Sequence, residues 1–430
     1  MRRLGIYVQV PFCQTKCTYC NFHTGVVAKE RFAPYVEAVC REIREHRELL
    51  RVAGVIWGSG EWPLETLGTR GTSGGNRDFD LDTVYFGGGT PSLLEPGHLQ
   101  EILEALRETF GGNGSTGVGV NCGISTHSRR REEHTEHGDP EEVTLEADPE
   151  TAEEEKAAAW VNAGINRVSF GVQSFSDEEL AAAGRMHRRA DVYRAVPMVR
   201  EAGIRNISFD LIAGLPRQTR DSWNQSLAEL IALRPEHVSV YVLEVDEGSR
   251  LGKEMLAGGR RYSAPAVPSE DEMAEFYEIA QEKLGGAGYR HYEISNWARP
   301  GFESKHNLKY WRREPYLGFG AGAHSFSGTQ RWANAHDAAA YVSAIQGGRL
   351  PVEQLEGVTA VQALEEELFL GLRQLDGIDV RRIEKEYGVA LAGRFEPLAA
   401  AGLVQREGDV VRLAKEKLSV SNEVFVELMR

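Results

Sequence analysis

The run AGINRVSFGVQSF, residues 163–175, returns in outline as AGIRNISFDLIAGLP at residues 202–216. In each copy a helical pattern stops at a glycine, Gly164 or Gly203, an apolar residue follows, and a β-rich run begins. Glycine just past a helix suits a left-handed cap, because it adopts positive φ without a Cβ penalty. Similar β-rich runs occupy 5–10, 83–88, 142–148, 167–174, 206–214 and 237–245, with helical periodicity between most of them. Short links between alternating strands and helices favour a parallel sheet with right-handed crossovers. The expected fold is therefore α/β, a partial (β/α)6 TIM-like barrel that is open or only partly closed. A flat doubly wound sheet is the alternative.

The 430 residues are 41% hydrophobic and 26% charged, the balance of a soluble globular chain. A net charge of -15 argues against a general nucleic-acid or anionic-membrane binder. The basic run Arg129–Arg131 passes directly into Glu132 and Glu133 and reads as a solvated loop. No stretch of about 18 apolar residues occurs, which leaves peripheral membrane contact only. MRRLGIYVQV runs straight into a strand pattern with no signal-peptide core, so a cytoplasmic location is expected. Three of the five cysteines fall within eight positions, unlike a secreted disulfide framework. Cys40, in a helical stretch, and Cys122, in a Gly-rich stretch, read as incidental thiols.

Residues 1–250 read as the barrel, interrupted at 57–80 and 111–141 by polar, Gly-rich loop insertions to which no chemistry is assigned. His127, His134 and His137 in the second insertion read as solvated. Beyond residue 250 the alternation weakens. Residues 251–355 read as a connecting region with a helix over 269–284, and residues 356–430 as a smaller C-terminal α+β unit of winged-helix-like shape. Its mixed charge implies no DNA role.

Polar residues gather at the C-terminal ends of the strands, where ligands bind in parallel α/β folds. The first strand leads to PFCQTKCTYCNFHT (11–24), the second to GGGTP (87–91), the third to Glu146 and Asp148, the fourth to Gln173 and the fifth to Asp210. The glycine run either brings backbone close to a ligand or makes a tight turn. Cys13, Cys17 and Cys20 can supply three thiolates to a four-iron, four-sulfur cluster and leave one iron open. His23 keeps a Cys3His zinc site as the competing reading.

CxxxCxYC after the first strand, followed by GGGTP after the second, resembles the radical S-adenosylmethionine superfamily. PFCxxKCxYCxF, GGGTPS, EADP (146–149), FGVQSF (170–175), GRMH (184–187), DLIAGLP (210–216) and LSVSNEVF extend the likeness along nearly the whole chain to the oxygen-independent coproporphyrinogen III oxidase family, and within it to a heme chaperone branch. The resemblance implies a [4Fe-4S] cluster on Cys13, Cys17 and Cys20, with Tyr7 and Tyr19 in its surroundings. It implies S-adenosyl-L-methionine held by Gly88, Gly89, Thr90, Glu146, Gln173, Arg185 and Asp210. Such roles suit the residue types, since Arg pairs with carboxylate and Asp or Glu accepts from ribose hydroxyls.

Two functions follow from the resemblance. An oxidase would use radical chemistry to decarboxylate coproporphyrinogen III propionates to vinyls. A chaperone would bind heme as cargo and hand it to heme-requiring acceptor proteins such as respiratory enzymes. Phe22 stands where the oxidases resemble CxxxCxxCxC, and only twelve residues precede Cys13, so a chaperone without oxidase activity is expected. KHNLKYW (305–311) resembles the HNxxYW signature of the chaperone branch. There His306 is either an axial heme ligand or a structural histidine, and Tyr310 and Trp311 either flank a porphyrin or fill the core.

Overall fold

The computed structural model describes residues 2–52, 79–110 and 140–429. The insertions therefore lie almost wholly outside the described residues, and Cys122, Arg129–Arg131, His127, His134 and His137 entirely so. Six parallel strands follow one another in chain order: β1 (Arg2–Val10), β2 (Phe79–Gly88), β3 (Glu142–Ala147), β4 (Arg167–Gln173), β5 (Asn206–Ala213) and β6 (His237–Val242). Gly164 and Gly203 cap the helices before β4 and β5 at φ +106° and +115°, as the repeated AGI predicts.

The sheet continues past both ends of this set. On one side β6 pairs with β8 (Asn296–Ala298), which pairs with β7 (Arg290–Glu293); on the other, β1 pairs with β9 (Tyr316–Phe319), followed by β10 (His324–Phe326), β11 (Gln330–Asn334) and β12 (Val352–Gly357). With its outer edges taken by β9 and β8, the set β1–β6 does not close on itself by β1–β6 pairing. The barrel is thus a partial one. Residues 251–355 contribute strands to this same sheet, which sequence periodicity did not reveal because most of them are only three to five residues long.

Period-2 alternation sorts each strand into two faces. Ile6, Val8 and Val10 of β1, Val84 and Phe86 of β2, Val168, Phe170 and Val172 of β4, and Ile207, Phe209 and Leu211 of β5 belong to the core beneath the helices. The alternate residues Tyr7, Tyr85, Glu146, Ser169, Gly171, Gln173 and Asp210 line the interior. Truncating a fully buried residue such as Phe170 to Ala would cost about 3–5 kcal/mol.

The helix Lys305–Trp311 closes the N-terminal end of the strands. Lys309 Nζ lies 2.7 Å from Asp82 and 3.0 Å from Glu314, and Gly5 on β1 leaves the space through which the Lys309 stem passes. The Glu142 carboxylate at the start of β3 accepts from the backbone N–H groups of Lys305 and His306, both at 3.1 Å, which would otherwise be orphaned at the helix start. A separate three-stranded antiparallel sheet, β13 (Ile378–Asp379), β15 (Val410–Leu413) and β14 (Val404–Glu407), lies in the smaller C-terminal domain with helices Val380–Tyr387, Ala392–Ala400 and Ser421–Leu428.

Candidate functional site

The interior opens into a cavity of about 910 Å³. Every site residue named from the sequence lines it: Tyr7, Cys13, Cys17, Tyr19, Cys20, Gly88, Gly89, Thr90, Glu146, Gln173, Arg185, Asp210 and His306. His23 does not. Its ring lies tilted against that of His336 with centroids 4.2 Å apart, so the fourth ligand of a zinc site is turned elsewhere. Among the described residues no three His, Cys, Asp or Glu side chains converge on a single-ion position. The donor set is three free thiols on one loop facing the cavity, which suits a cluster with an open iron better than one tetrahedral ion.

The cysteine loop is fastened to the glycine run. Gly89 N–H donates to Val10 O at 2.8 Å and Thr90 N–H to Phe12 O at 2.7 Å, while Cys13 N–H donates to Gly25 O at 3.1 Å. The glycines are needed mainly for this approach. A Cβ on Gly87 would meet the Tyr7 ring at 2.9 Å, one on Gly88 would collide with the Gln9 amide, and one on Gly89 with the Phe12 carbonyl. The run that reads as room for a ligand is first of all room for the first strand and its loop. Burial raises the Cys13 and Cys20 thiols above their ordinary range, so holding them as thiolates calls for a nearby cation.

Arg185 links the loop to the strand ends: Nη1 donates to Cys17 Sγ at 3.5 Å, and Nη2 to Gly171 O at 2.8 Å and to the Asp148 carboxylate. Its buried Nε has no partner among the described residues. Asp148 also accepts from Thr90 Oγ1 at 3.2 Å. Sequence reasoning placed Asp148 with Glu146 in the ring of strand ends but gave it no contact of its own; two residues after Glu146, it falls on the same side of the chain. Glu146 accepts from Tyr85 Oη at 2.8 Å and Gly88 N–H at 3.1 Å; burial nevertheless pushes its carboxyl up to about 7. Burial likewise raises Asp210, against the hydroxyls of Ser239, Ser169 and Ser208. Gln173 sits where the β4–β5 register shifts, at φ +63°, a left-handed conformation that turns it into the cavity.

His306 is buried, with Nδ1 2.9 Å from Thr83 Oγ1 and Nε2 2.9 Å from Tyr310 Oη. Its ring stacks on Tyr85 at 5.2 Å. Burial lowers its pKa to about 3, so the imidazole is neutral. As placed, neither nitrogen is available to a metal. Several apolar side chains on the lining are open: Phe22 is 63% and Met186 59% exposed, and Tyr241 and Val242 of β6 are exposed as well.

A partial parallel barrel with a cysteine trio after its first strand and a glycine run after its second defines a radical SAM protein, and the model described as "Radical SAM superfamily" matches residues 74–230. The "HemN C-terminal domain" model matches residues 358–416. More narrowly, the chain belongs to the HemW family. It is 32% identical over 423 residues to the protein named "Heme chaperone HemW" of Bacillus subtilis, covering 97% of each chain. It is 34% identical over 383 residues to that of Synechocystis, covering 86% of this chain and 78% of the relative. In fold it resembles the coproporphyrinogen III oxidase HemN of Escherichia coli, with a TM-score of 0.75 at 20% identity over 99% of this chain and 90% of that one.

Proposed function

We propose that the chain is a cytoplasmic heme chaperone that binds heme and passes it to heme-requiring acceptor proteins, on a scaffold carrying a [4Fe-4S] cluster and S-adenosyl-L-methionine. The observation that carries this reading is the meeting, in one cavity, of the cysteine trio, the polar ring of strand ends and exposed apolar side chains. Cys13, Cys17 and Cys20 hold the cluster, with Tyr7 and Tyr19 beside it. Gly88, Gly89, Thr90, Glu146, Gln173, Arg185 and Asp210 hold the cofactor, and Asp148 keeps Arg185 and Thr90 in place. When bound, the pair supplies low-potential electron transfer and radical chemistry, with the protein contributing position and shelter from water.

Phe22, Met186, Tyr241 and Val242 suit a flat apolar cargo, since exposed apolar side chains gathered on one lining mark binding surfaces. Phe22 also occupies the position at which the oxidases resemble a further cysteine. That favours carriage of finished heme over oxidation of coproporphyrinogen III. His306 is the proposed iron ligand of the HNxxYW stretch, and ligation would exchange its Tyr310 hydrogen bond for iron. The competing role, positioning Tyr310 at the cavity wall, rests on the hydrogen bonds of the ring nitrogens to Thr83 and Tyr310.

Anaerobically reconstituted protein is expected to hold about four iron and four sulfide, abolished by Ala at Cys13, Cys17 or Cys20. It is expected to bind about one heme, pass it to an apo acceptor, and leave coproporphyrinogen III unchanged with reductant and cofactor present. Formation of protoporphyrinogen IX would reverse the reading to oxidase. His306→Ala separates the two roles: a displaced Soret band marks a lost ligand, and weaker binding with an unmoved band marks a lost positioning contact.

A further inference from the structure

The cavity extends well beyond the cysteines and strand ends, to a corner walled by Glu293, Asn296, Trp311 and Arg373. None of these residues has a part in the cluster or cofactor reading. The corner is built by three elements locked together. Ile294 N–H, in the turn between β7 and β8, donates to Arg373 O at 3.1 Å, and Gln374 Nε2 donates to Trp311 O at 3.5 Å. The Arg373 guanidinium lies 4.5 Å from the centre of the Trp311 ring, so its orientation is held by the indole face.

What distinguishes the corner is unmet hydrogen bonding. Four buried side-chain atoms there have no partner among the described residues: Arg373 Nε, Trp311 Nε1, Glu293 Oε2 and Asn296 Oδ1. Buried polar atoms are nearly always satisfied, and a cluster of exceptions in one wall of a cavity calls for a missing occupant. Glu293 is fully buried, and its other oxygen accepts from Ser295 N–H at 3.2 Å and from the Asn296 amide. Arg373 acts on this carboxyl as a nearby charge, yet Glu293 Oε2 and Arg373 Nε both stay without a hydrogen bond among the described residues, so the guanidinium keeps a donor for a further anion. Arg373 and Trp311 offer N–H donors and a positive charge, the set that recognises a carboxylate.

We propose that this corner is a carboxylate subsite in which Arg373 and Trp311 receive a propionate of the heme cargo. The inference rests on the reading that the cargo is heme. Glu293 fits the same role: burial raises its carboxyl to about 7 against the lowering effect of Arg373, so near neutrality it can present an O–H to a second carboxyl instead of a full repelling charge. The porphyrin face then points toward the exposed apolar side chains of the lining, and the cargo is oriented by its polar edge as well as by any iron ligand.

The test titrates the reconstituted full-length protein with ferric heme and, separately, with heme dimethyl ester, in which both carboxylates are masked. Wild type is expected to prefer heme by about tenfold or more. Arg373→Gln should lower heme affinity by about tenfold, leave the ester affinity within about twofold, and leave S-adenosylmethionine affinity unchanged. Trp311→Phe, which keeps the ring under Arg373 and removes its N–H, should lose roughly threefold on heme alone. Should Arg373→Gln fail to fold, the wild-type heme-to-ester ratio and Trp311→Phe decide the matter. Equal binding of the two porphyrins by wild type, or equal loss for both in the variants, overturns the subsite and leaves the heme reading standing. Binding of neither porphyrin by wild type overturns the heme reading, and the subsite with it.

Discussion

At Gly89 an added methyl group would collide with the Phe12 carbonyl, the residue just before Cys13. Gly89→Ala is therefore expected to push the cysteine loop off its anchor and lower iron retention after anaerobic reconstitution. Gly97→Ala, whose Cβ meets nothing within 4 Å, is the control that should retain it. Glu42 is a second residue whose surroundings dictate a measurable outcome. It is buried against the extension of the sheet, accepting from Tyr341 Oη at 2.6 Å, Asn334 Nδ2 at 2.7 Å and Gly320 N–H at 2.9 Å. Burial outweighs these bonds and raises its carboxyl from 4.5 to about 7. Below about pH 4 both folded and unfolded states hold the proton and nothing is lost; above about 7 both are ionised and the folded state bears the whole penalty, roughly 3 kcal/mol. Relative to Glu42→Gln, wild type should thus lose stability as pH rises from 5 to 8 in denaturant titrations. A difference that stays flat with pH would refute the assignment.

The helix Lys305–Trp311 shows how an element conspicuous in sequence for one role can carry a second, structural one. HNLKYW stood out as a heme motif, yet Lys309, which attracted no attention, is almost wholly buried and joins the helix to β2 through Asp82. Removing one partner of a buried pair leaves an uncompensated charge, so Lys309→Met is expected to destabilise by about 3 kcal/mol or more. Lys309→Met with Asp82→Asn should recover part of that in a double-mutant cycle followed by thermal unfolding. The six parallel strands were legible because their helix-side residues are apolar at every second position, and because the helices before β4 and β5 end in Gly caps. Short strands such as β8 and β10, three residues each, carry too few alternations to be seen. At the site, Cys13, Cys17, Cys20 and the strand-end acids were legible as residue types at strand exits. Glu293 and Arg373 were not, because they reach the cavity from β7 and the end of the helix Ala360–Leu372, and only tertiary packing brings them together.

At the scale of the whole molecule, one cavity is shared by the barrel, the β7–β8 hairpin and the C-terminal segment, since Leu418, Ser419, Ser421 and Asn422 line it together with Cys13 and Glu146. Heme binding should therefore slow amide exchange in residues 293–296 and 418–422 while leaving β14 and β15, the separate sheet, unchanged; protection confined to the cysteine loop would place the cargo elsewhere. The position of β1 carries a different consequence, for the order of biosynthesis. Its two neighbours are β2, residues 79–88, and β9, residues 316–319. On the ribosome the first strand is made early but keeps one edge bare until some three hundred further residues have emerged, on the order of tens of seconds at ordinary elongation rates. The loop that follows it, with its three thiols, is held by backbone bonds to Gly25, Gly89, Thr90, Ala183 and Leu251, all of which emerge before that late strand. The cysteine loop can thus take its shape while the strand that leads into it is still half-paired, and the nascent chain has to keep that unpaired central edge from other partners in the meantime.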